Sequence, residues 1–389
     1  MTRTLNIIAF VVFASALFIR STDPVIPLIA DGLRVEPATA ALLSTAFTLP
    51  YALVQPLLGA LADMFSKARL MLLCMFLVTA ATLVCGFASS FQFLFIARVV
   101  AGLAAGGVVP ISFALVGDMI PVAERQLAMG RLLFAIMTGN LLGATCAGVV
   151  GDLVGWRGVF FVTGALGAVA SVVAIPGFRG FSETAGRFDL SSLVPNYRMI
   201  FKNPLAKICF GTVFLEALFM YGCFPYIATM LRQAGETRAS IAGIVIAGFG
   251  IGGAVYGVLV SRLLPLLGER HMMRFGGAAL GLCLVLIAAR LSWPFEFANF
   301  ALLGFGFYCL HAVVQIYASE LAPTARGSSM ALHSFFFFLG QAIGPIVYGA
   351  GLSTIGLNSV LWLGAAVLVG VGLTCAHWLR RHEPDEADV

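Results

Sequence analysis

Long apolar runs separated by short polar breaks repeat along the whole chain of 389 residues. A helix needs about 20 consecutive apolar residues to cross the hydrocarbon core of a bilayer. The pattern predicts an all-α membrane protein with twelve spanning helices, at residues 6–31, 39–62, 69–88, 91–119, 129–151, 158–177, 205–230, 239–264, 272–290, 295–319, 328–351 and 357–379.

One polar stretch, residues 178–204, is much longer than the other breaks. It divides the chain into two bundles of six predicted helices, at residues 1–177 and 205–380. We expect the stretch itself to be a cytoplasmic central loop, and residues 381–389 to form a cytoplasmic tail.

The composition excludes several classes of protein. Hydrophobic residues make up 60% of the chain and charged residues only 11%, against about 25% charged residues in an ordinary soluble domain. A soluble or disordered chain is therefore excluded. The net charge of +5 comes without a basic stripe interleaved with aromatics, so no nucleic-acid partner is expected. The eight cysteines all fall in apolar stretches. We interpret them as small buried residues, and expect no disulfide, metal or cofactor.

Lysine and arginine are unevenly distributed between the two sets of loops. With the N-terminus in the cytoplasm, the outer segments carry only Arg34, Arg157, Arg232, Arg238 and Arg290, and every other basic residue outside the spans lies on the inner side. The positive-inside rule then places both termini in the cytoplasm.

The two halves resemble each other in sequence. The matching residues are Asp118, Pro121, Arg125, Met129, Gly139, Gly143 and Gly148 in the first half and Glu320, Pro323, Arg326, Met330, Gly340, Gly344 and Gly349 in the second. A half-length repeat, here at an offset of about 201 residues, is typical of transporters that rock two bundles about a central site. We therefore predict two six-helix bundles related by a pseudo-twofold axis.

Three motifs give the chain a family resemblance. The segment GALADMFSKAR (residues 59–69) resembles the loop signature between the second and third helices of the major facilitator superfamily. FIARVVAGLAAG (95–106) resembles its fourth-helix signature around Arg98, and GNLLGATCAGVVG (139–151) resembles the glycine-rich signature of bacterial drug/proton antiporters. The resemblance covers nearly the whole chain and implies a twelve-span transporter of that type, located in the inner (plasma) membrane of a bacterial cell.

Few ionisable residues lie deep within the predicted spans. They are Arg20 and Asp23 on the first helix, Arg98 on the fourth and Glu216 on the seventh. Burial disfavours the charged form of a carboxyl group and a nearby arginine favours it, so a conformational change can load and release a proton. We predict that Asp23, tuned by Arg20 or Arg98, or else Glu216, carries the proton that drives transport. The alternative is a permanent Arg20–Asp23 salt bridge that only fastens the first helix.

A central cavity is predicted where polar and aromatic side chains interrupt the spans. A proline break in the seventh helix is tolerated where freed backbone groups line a cavity. The candidate substrate-binding residues are Arg20, Tyr221, Phe224, Tyr226, Tyr308, His311, Gln315 and Gln341.

A cytoplasmic latch is predicted from the loop signature and the end of the fourth helix. Asp63 would accept hydrogen bonds from the N-terminal amides of an adjacent helix, which the family resemblance implies is the eleventh. Asp118 would pair with Lys67, Arg69 or Arg125. The candidate gating residues are Gly59, Asp63, Lys67, Arg69, Asp118 and Arg125. The alternative is that Lys67 and Arg69 only reflect the positive-inside rule and form no latch. That rule does not require the glycine or the acidic residues.

Together these features predict a monomeric exporter of small amphipathic or hydrophobic organic compounds, driven by proton exchange across the lipid bilayer. The alternative is a proton-coupled uptake symporter for an organic anion or metabolite, bound by Arg20 and Arg98. An intramembrane enzyme is disfavoured because the chain has no HExxH or GxSxG motif. A channel is disfavoured by the repeat, and direct use of ATP by the lack of a phosphate-binding loop motif.

Overall fold

The computed structural model describes residues 2–64, 66–178 and 193–379, although the side chains of residues 2, 57–64, 122, 123 and 193 lie outside that description. Within these ranges every regular element is a helix. The α-helices are α1 (Thr2–Arg20), α2 (Ile26–Leu33), α3 (Pro37–Met64), α4 (Lys67–Cys85), α5 (Phe91–Met119), α6 (Val122–Gly177), α7 (Leu193–Lys202), α8 (Leu205–Met220), α9 (Phe224–Gln233), α10 (Ala239–Ala288), α11 (Trp293–Glu320), α12 (Arg326–Thr354) and α13 (Leu357–Trp378).

Ten helical stretches in the described part of the chain are long and apolar enough to cross a bilayer. They coincide with the predicted apolar runs, with one difference. Helices α6 and α10 each extend over two of the predicted spans. The short amphipathic helix α7 lies inside the segment expected to be a loop.

Helix α6 is a hairpin of two helical segments. As one rod its 56 residues would extend about 84 Å, far beyond the ~30 Å hydrocarbon core. Gly155, with φ 78°, breaks it, because a left-handed backbone reverses the chain without steric cost only at glycine. Before the break Gly151 approaches Val25, which follows α1, and after it Gly177 approaches Ile7 near the start of α1. The chain therefore turns back on itself, as the predicted gap between spans requires.

Helix α10 turns back in the same way. Gly268 has φ 71°. Gly252 packs on Ala301 before this break, and Cys283 contacts the Asn299 carbonyl after it. The first segment of α10 therefore runs parallel to α11 and the second antiparallel to it.

Two of the long apolar runs are interrupted within the bundle. A 3₁₀ turn at Asp23–Val25 separates α1 from α2, and another at Tyr221–Cys223 separates α8 from α9. Each is followed by or contains a proline, which cannot donate to the helical ladder and so favours a local break. The second interruption confirms the break predicted in the seventh span. Both breaks carry side chains of the candidate site.

Helices within each half approach each other through glycine at matching positions. A Cβ atom on Gly102 of α5 would overlap the carbonyl oxygen of Phe47 on α3, and one on Gly304 of α11 would overlap the carbonyl oxygen of Phe249 on α10. Only a residue without a side chain allows two helix backbones to pack this closely.

The two ends of the bundle differ in how the halves meet. We call the end with Thr2, Lys67 and Trp378 the terminal face, and the opposite end the distal face. At the distal face Arg232 Nη1 donates to Asp31 Oδ2 at 2.6 Å. Asp152 of α6 accepts the backbone N–H groups of Ala239 and Ser240, at 2.8 and 2.9 Å. Both contacts join the N-terminal half to the C-terminal half, so the distal side is closed.

Toward the terminal face, α6 and α10 expose apolar side chains. Leu127 and Phe134 of α6 are 66% and 72% exposed, and Val258 of α10 is 76% exposed. A groove of about 900 Å³ lies between the terminal halves of α1 and α6, within the N-terminal half, and its walls include Phe10 and Arg131. The contacts between the halves at the distal face define the arrangement as distally closed.

Candidate functional site

Arg20 and Asp23 form an ion pair at the first helical interruption. Arg20 Nη1 donates to Asp23 Oδ2 at 3.2 Å, and the Ser44 hydroxyl of α3 donates to Asp23 Oδ1 at 2.8 Å. Asp23 is fully buried and Arg20 is 7% exposed. The pairing expected from the spacing of three residues is confirmed.

The same arginine also contacts the opposite half of the protein. Its guanidinium carbon lies 4.2 Å from the ring centroid of Tyr221 and 4.8 Å from that of Phe224. Both distances are within the range of a cation–π interaction, which strengthens where water is excluded. Arg20 therefore joins an acid of the N-terminal half to two aromatic rings of the C-terminal half.

Arg98 of α5 is buried within the N-terminal half. It donates to the carbonyl oxygens of Phe18 and Leu43, at 3.4 and 3.5 Å, and lies 4.3 Å from the ring centroid of Phe47. Its Nη2 has no hydrogen-bond partner. An unpaired guanidinium nitrogen at 1% exposure leaves a favourable position for an anionic group.

Glu216 of α8 is the buried acid of the C-terminal half. Its Oε2 lies 3.0 Å from His311 Nδ1 of α11, and its Oε1 has no partner. The His311 ring lies 5.1 Å, between centroids, from the ring of His333 on α12. His333 is 2% exposed and its Nε2 has no partner. Three titratable groups from three helices are therefore gathered in one buried cluster.

Aromatic rings connect this cluster to Tyr221. Phe307 stacks on His311 at 4.5 Å, and Phe337 lies 5.2 Å from it. Tyr221 meets both phenylalanines edge-on, at 5.7 and 5.4 Å. Edge-to-face packing directs the positive ring edges at neighbouring ring faces and holds the rings in place.

The other candidate substrate residues have different surroundings. The Tyr226 hydroxyl donates to the Pro345 carbonyl at 2.7 Å, which fastens α9 to α12. Tyr308 stacks on Tyr256 at 5.8 Å. Gln341 is 4% exposed, whereas Gln315 is exposed at the surface of α11.

The candidate gating residues are only partly described. The surroundings of Gly59 and the side chain of Asp63 lie outside the described part of the chain. Lys67 donates to Asp118, as one of the predicted pairings. Arg125 instead donates to the Ile120 carbonyl at 3.3 Å.

Two further residues complete the outcome of the sequence predictions. Arg69 is exposed, and its backbone N–H lies 3.4 Å from Ser66 Oγ. All eight cysteines are free, as expected, but Cys146 is exposed. The prediction that every cysteine is buried is wrong for this residue, because the apolar surroundings of a spanning helix include lipid as well as protein.

Sequence reasoning missed four residues of the candidate site. They are Ser44 beside Asp23, and Phe307, His333 and Phe337 around His311. His333 precedes a run of four phenylalanines, SFFFF at residues 334–338. A buried polar residue within so apolar a run was the available signal. The contacts themselves depend on how distant helices pack.

Comparison with known proteins agrees with this architecture. The sequence profile of the Major Facilitator Superfamily matches residues 8–264 and 209–389. The chain is 23% identical over 375 residues to multidrug resistance protein 1 of Bacillus subtilis, covering 96% of each chain. It is 24% identical over 381 residues to the quinolone resistance protein NorA of Staphylococcus aureus, covering 95% of each.

The fold also matches a solved transporter structure. The nucleoside transporter NupG superposes with a TM-score of 0.76 at 14% identity, covering 98% of this chain and 100% of that one. Because the family profile spans most of the chain, this protein belongs to the Major Facilitator Superfamily and is a membrane transporter rather than an enzyme.

Proposed function

We propose that this protein exports small amphipathic or hydrophobic organic compounds across the bacterial plasma membrane in exchange for protons. The observation that carries the proposal is the pair of buried acids beside the contact between the halves, Asp23 next to Arg20 and Glu216 next to His311. Buried ionisable groups in a membrane protein are costly and are characteristic of proton pathways. The similarity to proteins named for multidrug and quinolone resistance supports export.

The transport cycle is alternating access between two bundles of six spans. Since α6 and α10 each turn back at a glycine, ten apolar stretches correspond to twelve spans. Equivalent contacts in the two repeats support a pseudo-twofold relation: a Cβ on Gly148 would meet the backbone of Ala239, and one on Gly349 would lie 3.7 Å from Ala38. Each contact joins the two halves, with their roles exchanged.

The orientation follows from charge. Basic residues concentrate at the terminal face, which is therefore the cytoplasmic side, with both termini inside. The distally closed arrangement then corresponds to a state that faces the cytoplasm. The Lys67–Asp118 pair lies at that face, where a charge latch would break and re-form as the halves rock. The transporter works as a monomer, since one chain holds both halves.

The substrate is held among Tyr221, Phe224 and the phenylalanines around His311. Mostly apolar walls with a few polar groups suit amphipathic organic molecules. The second candidate function is proton-coupled uptake of an organic anion, which the unpaired Nη2 of buried Arg98 favours.

Reconstitution into liposomes tests both candidates. Transport of ethidium, tetraphenylphosphonium, benzoate and a neutral amphipathic dye is measured with and without an imposed pH gradient. We expect proton-driven transport of the amphipathic cations to fall by at least about 100-fold in Asp23→Asn or Glu216→Gln, the lower end of the 10²–10⁴ contributed by positioned proton-transfer groups in enzymes.

Asp31→Asn is the matched control, because this acid forms an ion pair that is about half exposed at the distal face. If both buried-acid variants keep full coupling to the pH gradient, the proposal is wrong. Gradient-driven uptake of benzoate with no movement of cations would establish the second function instead.

A further inference from the structure

The two buried acids are connected by a continuous set of contacts across the interface between the halves. Asp23 pairs with Arg20, and Arg20 lies over the ring of Tyr221. Tyr221 meets Phe307 edge-on at 5.7 Å, and Phe307 stacks on His311 at 4.5 Å. His311 Nδ1 lies 3.0 Å from Glu216 Oε2. Tyr221, Phe307 and His311 therefore connect the arginine of one half to the carboxyl group of the other.

The partners of the two acids are unequal. Asp23 accepts hydrogen bonds at both carboxyl oxygens, from Arg20 and Ser44. Glu216 has one oxygen beside His311, while its Oε1 is buried and unpaired. A buried oxygen without a partner costs free energy, so Glu216 has a position available for a second donor.

We propose that Arg20 exchanges partners, pairing with Asp23 in the distally closed arrangement and with Glu216 when Asp23 takes up a proton. The inference rests on the proposed function, in that it assumes protons drive the cycle. The two acids then act as one proton site that spans both halves. Arg20 couples them, because protonation of Asp23 in one half favours ionisation of Glu216 in the other.

The exchange balances in protons and charge. A proton that binds a carboxyl oxygen of Asp23 removes the anion that paired with Arg20. A buried cation without a partner is strongly unfavourable, so Arg20 turns toward Glu216. The proton held between Glu216 and His311 then leaves, and Glu216 becomes the anion. One proton enters and one leaves, and the cluster keeps the same net charge.

Other titratable and charged groups face these acids. Arg98 acts on Asp23 from α5, and Arg20 also acts on the Cys223 thiol. Glu216 acts on the Cys375 thiol of α13. His333 faces His311 from α12. Arg98 donates to carbonyl groups of its own half, so of the two arginines near Asp23, Arg20 is the one that contacts both halves.

Infrared difference spectroscopy of the full-length protein in lipid nanodiscs tests the exchange without a substrate. The carboxyl C=O bands of the two acids are assigned by their loss in Asp23→Asn and Glu216→Gln. The Glu216 band is then titrated in four proteins: the parent, Asp23→Asn, Arg20→Gln and the double variant of Arg20 and Asp23.

Asp23→Asn frees Arg20 permanently, so the ionised fraction of Glu216 at a given pH should rise. We expect its titration midpoint to move by at least about one pH unit, the lower end of the effect of a close opposite charge. The movement should vanish when Arg20 is also replaced, and should persist in a double variant with Arg20→Lys. If the Glu216 midpoint is the same in Asp23→Asn as in the parent while Arg20 is present, the proposal is wrong.

Two controls keep the test decisive. Arg232→Gln removes a different arginine that joins the halves, and should leave the Glu216 midpoint in place. Thermal unfolding and helical circular dichroism identify any variant that has not folded. If transport needs both acids but the Glu216 midpoint is independent of Asp23, the partner exchange fails and the proposed function stands. If neither acid is needed for proton-driven transport, the proposed function fails whatever the bands show.

Discussion

Replacing Asp152 with alanine is expected to open the distal side of the protein. This carboxylate on α6 accepts the N–H groups of Ala239 and Ser240, the first residues of α10 in the opposite half. A helix N-terminus has unpaired amides and a positive partial charge, so an acidic cap stabilises it. The cap joins the halves only in the distally closed arrangement.

The magnitude follows from the exposure of the cap. Loss of an N-cap side chain costs about 0.5–2 kcal/mol. Asp152 is exposed to solvent, which places the loss near 1 kcal/mol. Since 1.4 kcal/mol corresponds to about tenfold in an equilibrium constant, the ratio of distally open to closed molecules should rise about fivefold.

Electron–electron double resonance measures this ratio. Spin labels at Phe87 and Ile355, which are 73% and 61% exposed, report the separation of the two distal ends. Cys74 and Cys146, the cysteines that are not fully buried, are first replaced by alanine.

The expected result is a larger long-distance population in Asp152→Ala and a smaller increase in Asp152→Asn, which keeps one acceptor oxygen without the charge. Arg232→Gln should have a weaker effect than Asp152→Ala, because an exposed ion pair contributes little. A distance distribution identical to that of the parent in Asp152→Ala would refute the role of the cap.

Three further outcomes follow from local contacts. Gly102→Ala should lower the Tm, because its methyl group would overlap a backbone carbonyl of α3 at a cost of about 1–3 kcal/mol; Gly117→Ala, which meets open space, should not. The exposed Arg238 holds the pKa of the partly buried Glu236 carboxyl below its ordinary value of 4.5. The pair therefore stabilises the fold above that pH, and this stabilisation is lost as the pH falls through the lowered pKa. Arg238→Gln should therefore lower the Tm slightly at pH 7, where the pair is formed, and leave it unchanged below the lowered pKa, so that the Tm profile becomes flatter. Tyr197→Phe removes the hydrogen bond from α7 to α3, which should lower the free energy of detaching α7 by about 1 kcal/mol. Limited proteolysis should therefore cleave α7 faster in this variant.

The membrane-spanning helices could be predicted because apolar length and helical hydrogen bonding are local properties of the chain. The break at Tyr221–Cys223 and the Arg20–Asp23 pair were predictable for the same reason, since both depend on residues close in sequence. The corner at Gly268 was expected as a gap between spans, although helix assignment runs through it.

By itself the sequence determined that the chain is a helical membrane protein whose two halves are similar in sequence. Hydropathy and the positions of repeated glycines can be read directly from the order of residues along the chain. Only the tertiary structure decided that Glu216 meets His311 and His333, that Arg20 reaches Tyr221, and that Asp152 caps a helix of the other half. Each of these contacts joins helices far apart in sequence. No local pattern specifies them, because they depend on how whole helices pack and on which side of the bundle is closed.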